Sequence, residues 1–444
     1  MGQPKEDTAG VPGREGIEAW AGRGAPEAIA ASRAPRALVD HLFRHQHGRI
    51  VASLTRSLGP QHLDLALDAV QEACLSALLS WPYDGLPAEP DAWLCRVARN
   101  KAIDRIRRSR KQSDDPQELE QRCKELLTPA ETSPEEEIDD HLRLIFTCCH
   151  PELPRGARVA LTLKTVCGFS VAEIARAFFA TDAALAQRLV RAKHTIRDRR
   201  VAYQVPEGAE LLPRLDSVHQ VLLLLFNEGY SSLGGEHSVR VDMMEEALRL
   251  VGLLTRDPRT ATPATDALEA LFCFQSSRNP ARLDSEGAMI PLPDQDRTRW
   301  DRGLLDAGLL ALARSARGEV ETRYHILAEI GSAHALAPRF EDTDWERICA
   351  AYRRLLRREG SRAGFLGLVV AESYLHGAQS ALLRLDARGA PAAGSKEPNR
   401  EAAVRADLLF RLGRLEEARV TYRSAAALAR NPAERRYLER RAST

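Results

Sequence analysis

The chain is predicted to be all-α, and three observations support that prediction. Ala, Leu, Arg and Glu, all good helix formers, dominate the 444 residues. Alternation of β-branched residues is nearly absent, so strand signals are missing. Apolar residues instead recur three and four positions apart, in stretches bounded by capping residues and glycines. A chain this long exceeds one ordinary core, and two or three domains are expected. Hydrophobic residues are 44% and charged residues 28%, enough apolar material for each domain to bury a core.

Residues 1–36 are rich in Gly, Ala, Pro and charge and lack a continuous apolar stretch. They are expected to be a disordered lead into a cytoplasmic protein, because a secretory signal needs an apolar core. No apolar run approaches the roughly 20 residues that span a bilayer, so no membrane partner is expected. A first helical domain is placed at 37–112, a flexible acidic linker at 113–139, a second domain at 140–202 and a helical extension at 203–444. The net charge of +1 conceals a segregation. Arg96 to Lys111 holds eight Lys/Arg and one acid, whereas Ser113 to Asp140 holds eleven acids and two bases. A local basic block of that kind is the footprint of a phosphate-binding surface.

In the first domain, Leu63 to Trp81 reads as an amphipathic helix with Leu63, Leu67, Val70, Cys74, Ala77 and Leu78 as its apolar stripe. Its other face carries Asp64, Asp68, Gln71 and Glu72, suited either to a basic partner or to plain solvation. After the turn at Pro82–Pro90, Asp91 to Lys111 forms a second helix that Asp91 can cap. Trp93, Leu94, Val97, Ile103 and Ile106 should face the core. That leaves Arg96, Arg99, Asn100, Asp104, Arg105, Arg107 and Arg108 outside. Arg neutralises phosphates, and Asn, Asp and Arg hydrogen-bond base edges; a simple basic surface helix is the plainer alternative.

Val159 to Arg199 has the layout of a helix-turn-helix. One helix stops at Cys167-Gly168, and Ser170 caps a short helix to Phe178 with Glu173 at the capping-box position. A turn near Phe179–Thr181, with Phe179 where many such motifs have Gly, leads into a helix from Asp182 with Leu185, Leu189, Ala192 and Ile196 inward. The outward face would read bases near its start with Ala184, Gln187 and Arg188. Arg191, Lys193 and Arg197 would then anchor phosphates. A helical hairpin that binds no DNA has the same local pattern.

Beyond Pro206, helices continue to the end, with interruptions near Arg256–Thr265, Arg278–Asp296 and Gly389–Asn399. In Arg405 to Pro432, small residues Ala406, Gly413, Ala418 and Ala425 alternate with Leu409, Leu412, Leu415, Tyr422 and Leu428, as in one tetratricopeptide-type hairpin. Gly229 is expected to stop the helix that ends in Asn227-Glu228. In the run Asp294 to Arg302, acids and arginines interleave as a cap-and-salt-bridge cluster. Cys148-Cys149-His150 is read as buried helix-face cysteines, since adjacent cysteines cannot easily share one metal. No P-loop, GxSxG or HExxH is present, so no catalytic residues, metal or cofactor are expected and the chain is not read as an enzyme.

Taken together these residues resemble the extracytoplasmic-function (ECF) class of RNA polymerase sigma factors. HGRIVASL (His47–Leu54), DAVQEA (Asp68–Ala73), the run Ala92–Arg108 and the helix-turn-helix match in type and order. LRLIFTCCHPEL (Leu142–Leu153), LLFNEGYSS (Leu224–Ser232), DQDRTRWDRGLL (Asp294–Leu305) and NPAERRYLERR (Asn431–Arg441) resemble a subgroup with a tetratricopeptide-like C-terminal extension. The resemblance implies that the first domain is region 2. It would dock on the coiled coil of the largest polymerase subunit through Asp64, Asp68, Gln71 and Glu72. Its Arg96–Arg108 face would hold the melted minus-ten element of promoter DNA. The second domain would be region 4, reading the minus-thirty-five element, with the polymerase flap as a further partner. The extension is expected to regulate the rest in cis, with a regulatory protein as its partner. The rival readings are a helix-turn-helix regulator acting without polymerase, and a helical scaffold whose basic helices bind acidic protein.

Overall fold

The computed structural model describes residues 35–109, 121, 126, 133–178, 180–230, 238–388, 398–429 and 431–444. The expected disordered lead lies outside the described residues apart from Pro35 and Arg36. Phe179 and most of the acidic linker lie outside them too. Among the described residues there are eighteen α-helices and no strand, only an isolated bridge between Leu283 and Met289. The chain is all-α. Among the described residues, contacts divide the chain into two compact units, one of residues up to 228 with 252–260, the other of 229–251 with 261–444.

The first unit contains α1 (Pro35–Leu58), α2 (Leu63–Asp84), α3 (Pro90–Ser109), α4 (Pro134–Cys148), α5 (Arg155–Thr165), α6 (Val171–Ala177), α7 (Asp182–Asp198) and α8 (Leu211–Tyr230, to Glu228). Helix α2 buries Leu63, Leu67, Val70 and Ala77 as its spacing requires, with Ala66, Ala69, Ala73 and Trp81 added. Helix α3 buries Leu94, Ala98, Ala102, Ile103 and Ile106, and Trp93 meets Trp81 edge-on at 5.4 Å. Asp91 does not cap α3. It lies within the first turn and accepts a hydrogen bond from Gln46 of α1, while the Glu89 carbonyl takes the Trp93 N–H. A tertiary partner outcompetes the local cap.

Residues 134–139, expected in the linker, are instead the first turns of α4. Ser133 and Glu136 exchange the two hydrogen bonds of a capping box there, with Pro134 at the first helical position. Helix α1 is the hub, touching α2, α3, α4 and α5. Gly48 of α1 lies so near the end of α5 that a Cβ would sit 2.3 Å from the Val166 carbonyl oxygen. Gly168, at φ +73°, turns the chain against His47 and then into α6. Cys148 and Cys149 are buried, and burial pushes the Cys149 thiol up to about 11. Helix α8 joins this unit: Ser217 Oγ donates to the Cys149 carbonyl, and Arg158 and Arg214 bond Ser217 and the Phe146 carbonyl. Gly229 does not stop α8 but lies inside it, since the helix continues to Tyr230.

The second unit holds most of α9 (Ser238–Arg256), then α10 (Pro263–Ser276), α11 (Arg302–Ser315), α12 (Arg323–Leu336), α13 (Trp345–Glu359), α14 (Arg362–Leu375), α15 (Ala378–Ala387), α16 (Pro398–Arg411), α17 (Leu415–Leu428) and α18 (Pro432–Ser443). Successive helices pack on one another from α12 to α18, and α10 packs on both α11 and α12. In the α16–α17 hairpin, Ala406, Leu409, Ala418, Tyr422 and Ala425 are buried as expected, and Gly413 supplies the turn at φ +75°. Leu415 and Leu428 are not part of that packing: they are 44% and 46% exposed, at the two ends of α17. The Asp294–Arg302 run is a capping cluster rather than a salt-bridge cluster. Asp296 and Asp301 cap the helices that follow them, while Arg297 donates to the His334 and Ala337 carbonyls.

Candidate nucleic-acid interface

Region α6–α7 is built by local rules. Ser170 accepts from the Glu173 N–H while Glu173 accepts from the Ser170 N–H, and Thr181 caps α7 through the Ala184 N–H. Leu185, Leu189, Ala192 and Ile196 are the buried face of α7. The opposite face therefore carries Ala184, Gln187, Arg191 and Arg197 in the exposed class, with Arg188 and Lys193 half-buried. Arg197 bonds its neighbours His194 and Asp198. Four small or flexible side chains are thus presented along a helix able to enter a major groove.

On α3 the same logic leaves Arg96, Asn100, Asp104, Arg107 and Arg108 exposed, and Arg99 and Arg105 half-buried. Arg96 and Arg99, with Arg49, Ser53, Glu137 and Asp140, line a cavity of about 260 Å³. Asp140 is almost fully enclosed there and pairs with Arg56 at 3.1 Å. Burial nevertheless lifts its carboxyl to about 6, with Arg56 and Arg143 pulling the other way.

The structure pairs several expected site residues with one another. Arg105 of α3 donates through Nε and Nη2 to Glu72 of α2 at 2.9 and 2.6 Å, and through Nη1 to Asp68. Those hydrogen bonds hold the Glu72 carboxyl below its usual range and raise Arg105 further. Lys193 of α7 pairs with Asp64 of α2. Nearby Lys164 of α5 has its pKa lowered by burial and by the Lys193 charge. A basic residue expected on minus-thirty-five DNA and an acid expected on polymerase thus neutralise each other. Gln71 stays exposed.

One feature of α2 and the turn that follows it was not anticipated. Leu75, Leu79, Tyr83 and Leu86 are 57%, 73%, 89% and 51% exposed. The first three recur every four residues and so continue the face that begins with Asp64, Asp68 and Gln71. The signal was available: apolar residues at 74, 75, 77, 78 and 79 span more of the helix than one buried stripe can use. Among the described residues no helix is long and apolar enough to cross a membrane, and no group of three or more His, Cys, Asp or Glu could hold a metal.

Comparison with known proteins fits this arrangement. Residues 42–112 match the model for Sigma-70 region 2, and residues 143–196 match that for Sigma-70 region 4. Residues 214–316 match a family of unknown function (DUF6596). Uncharacterized protein R00370 of Rhizobium meliloti (strain 1021) is 38% identical over 383 residues, covering 85% of this chain and 89% of that protein. No solved structure matches the chain.

Proposed function

We propose, from the premise that this chain belongs to the sigma-70 family of RNA polymerase sigma factors and carries a C-terminal helical extension, that it acts as an extracytoplasmic-function-type factor whose extension regulates it in cis. The observation that carries the reading is the placement of two cationic helix faces, on α3 and α7, in two successive domains, with an acidic and apolar face on α2 beside them. Such a chain makes and breaks no bond; polymerase supplies the chemistry.

In this reading α2 docks on the coiled coil of the largest polymerase subunit. Asp64, Asp68, Gln71 and Glu72 supply polar contacts, and Leu75 and Leu79 supply apolar area. An apolar anchor beside charged groups is the usual make-up of a tight interface. The α3 face of Arg96, Arg99, Asn100, Asp104, Arg105, Arg107 and Arg108 holds the melted minus-ten strand. Unstacking a base costs a few kcal/mol, offset by phosphate and base contacts. The α7 face of Ala184, Gln187, Arg188, Arg191, Lys193 and Arg197 reads the minus-thirty-five duplex.

Transcription by core polymerase with and without the purified full chain, with starts mapped across genomic DNA, tests the reading. Defined new starts preceded by a shared two-part sequence are expected; a complete lack of new starts overturns it. Regulation in cis is tested by ending the chain after Thr260, which preserves α8 and the Arg259–Asp139 pair inside the first unit. A change in transcript yield of at least several-fold is expected, and equal yield removes the regulatory role.

A further inference from the structure

In the second unit, a cavity of about 210 Å³ opens beside Tyr230, bounded by Arg282, Leu283, Met289, Arg400 and Glu434. Its walls come from distant parts of the sequence. Leu283 and Met289 are held side by side by their bridge, and the Met289 N–H donates to the Ala433 carbonyl. The Glu434 carboxylate accepts from Asn399. The Arg282 guanidinium stacks over the Tyr230 ring at 3.6 Å and donates through Nη2 to the Tyr230 carbonyl.

The electrostatics of this site are lopsided. Arg282 is only 8% exposed, and its Nη1 is buried with no hydrogen-bond acceptor. Neither Arg282 nor the adjacent Arg278 has a carboxylate partner among the described residues. Arg278 bonds the side-chain amides of Gln295 and Gln275 instead. Burial alone would raise the Tyr230 phenol, yet the fields of Arg278, Arg282 and Arg400 bring it below its usual value. An arginine cannot shed its proton to escape burial, so an enclosed guanidinium without a counter-charge is a standing cost that an anion would relieve.

We propose that this cavity is a binding site for a small organic monocarboxylate, its carboxylate set against the arginine side and its apolar body against Leu283 and Met289. Three features select that class. Planar guanidinium groups match a carboxylate in charge and geometry. The side-by-side Leu283 and Met289 offer an apolar surface that a bare inorganic ion leaves uncovered. The Glu434 carboxylate, which also lines the cavity, disfavours a doubly charged anion such as phosphate more than a singly charged one. The volume lies below the roughly 300–1,000 Å³ of sites for drug-sized molecules, so only a small acid fits.

Thermal unfolding of the full chain with sodium benzoate as the probe tests the site without involving polymerase, so its result is independent of the sigma-factor reading. Benzoate is expected to raise Tm saturably by about 2–4 °C in the millimolar range. Benzyl alcohol, its neutral counterpart, and chloride or phosphate at matched ionic strength should give no saturable shift. Arg282→Met and Met289→Trp should each lose the benzoate shift. The second fills the cavity while leaving the guanidinium in place, so the test stands if the first variant fails to fold. Absence of a benzoate shift overturns the proposal. So does an equal shift from the neutral or inorganic controls, or a shift that survives in Met289→Trp.

Discussion

Arg105 cannot donate to Asp68 and Glu72 and grip a DNA phosphate with the same nitrogens, so in the proposed reading the polymerase and minus-ten contacts would compete for one side chain. The pair is half-exposed, and exposed ion pairs contribute about 0–1 kcal/mol. Arg105→Ala should therefore leave core-polymerase affinity unchanged or tighten it by up to about 5-fold, while promoter opening falls. Measured by fluorescence anisotropy with labelled core enzyme, a loss beyond tenfold would make Arg105 a support for the acids rather than a DNA contact. Two histidines set a second expectation. Burial lowers His47, helped by the Lys164 charge, and His219, each to about 3. Both are neutral in the folded chain, while the unfolded chain takes up protons near 6.5, so their stability contribution is full above that value and drains as pH falls. From pH 7 to 5 each should cost about 2 kcal/mol. Asp140, raised to about 6, has the opposite sign and returns about 1 kcal/mol over the same interval. Urea unfolding of the full chain at the two pH values should show the net loss, and His219→Gln should remove about 2 kcal/mol of it.

Helix by helix, the parts that were legible in the sequence are those fixed by neighbours within four residues. Ser170 with Glu173, the helix start at Asp182, and the inward set Leu185, Leu189, Ala192 and Ile196 follow from capping chemistry and a 3.6-residue period, while the Thr181 cap emerged only in the structure. Asp91 differs because its outcome rests on a distant partner, Gln46, whereas Gly229 simply lies one residue inside the end of α8 and Leu415 and Leu428 stay partly exposed at the ends of α17. The Asp64–Lys193 pair, 129 residues apart in sequence, has no local signature at all. These elements carry two predictions. Ser170→Ala removes one half of a capping box and should destabilise the first unit by about 1 kcal/mol in urea unfolding. If α7 lies on duplex DNA, Arg191→Ala with Arg197→Ala removes two phosphate contacts. The slope of log affinity against log salt should then flatten by about 2. An unchanged slope would place those arginines away from DNA.

At the scale of the whole chain, the packing of α1, α2, α5 and α7 sets a geometric demand. Elements centred near minus ten and minus thirty-five lie about 25 base pairs apart, or roughly 85 Å of duplex at 3.4 Å per base pair. The faces of α3 and α7 cannot reach both while Lys193 is bonded to Asp64 and Gly48 is pressed on Val166. Promoter binding in the proposed manner therefore requires residues 42–112 and 143–196 to part. The chain between Ser109 and Ser133 contains 23 residues, which can span at most about 76–83 Å, comparable to the separation required. Joining the two domains through Asp64 and Lys193 should then block function well beyond the loss of those two side chains' own contacts. Asp64→Cys with Lys193→Cys, bridged by a short bismaleimide, is expected to reduce promoter-directed transcription by at least about tenfold. Each single variant treated the same way, and the unbridged double variant, should lose only the replaced side chain's own contact and stay well above that level. The half-buried native thiols compete weakly, since burial pushes Cys74 up to about 12 and also raises Cys95. Full activity of the bridged protein would mean that both DNA faces work from the closed arrangement, and the two-site reading of the promoter would have to be abandoned.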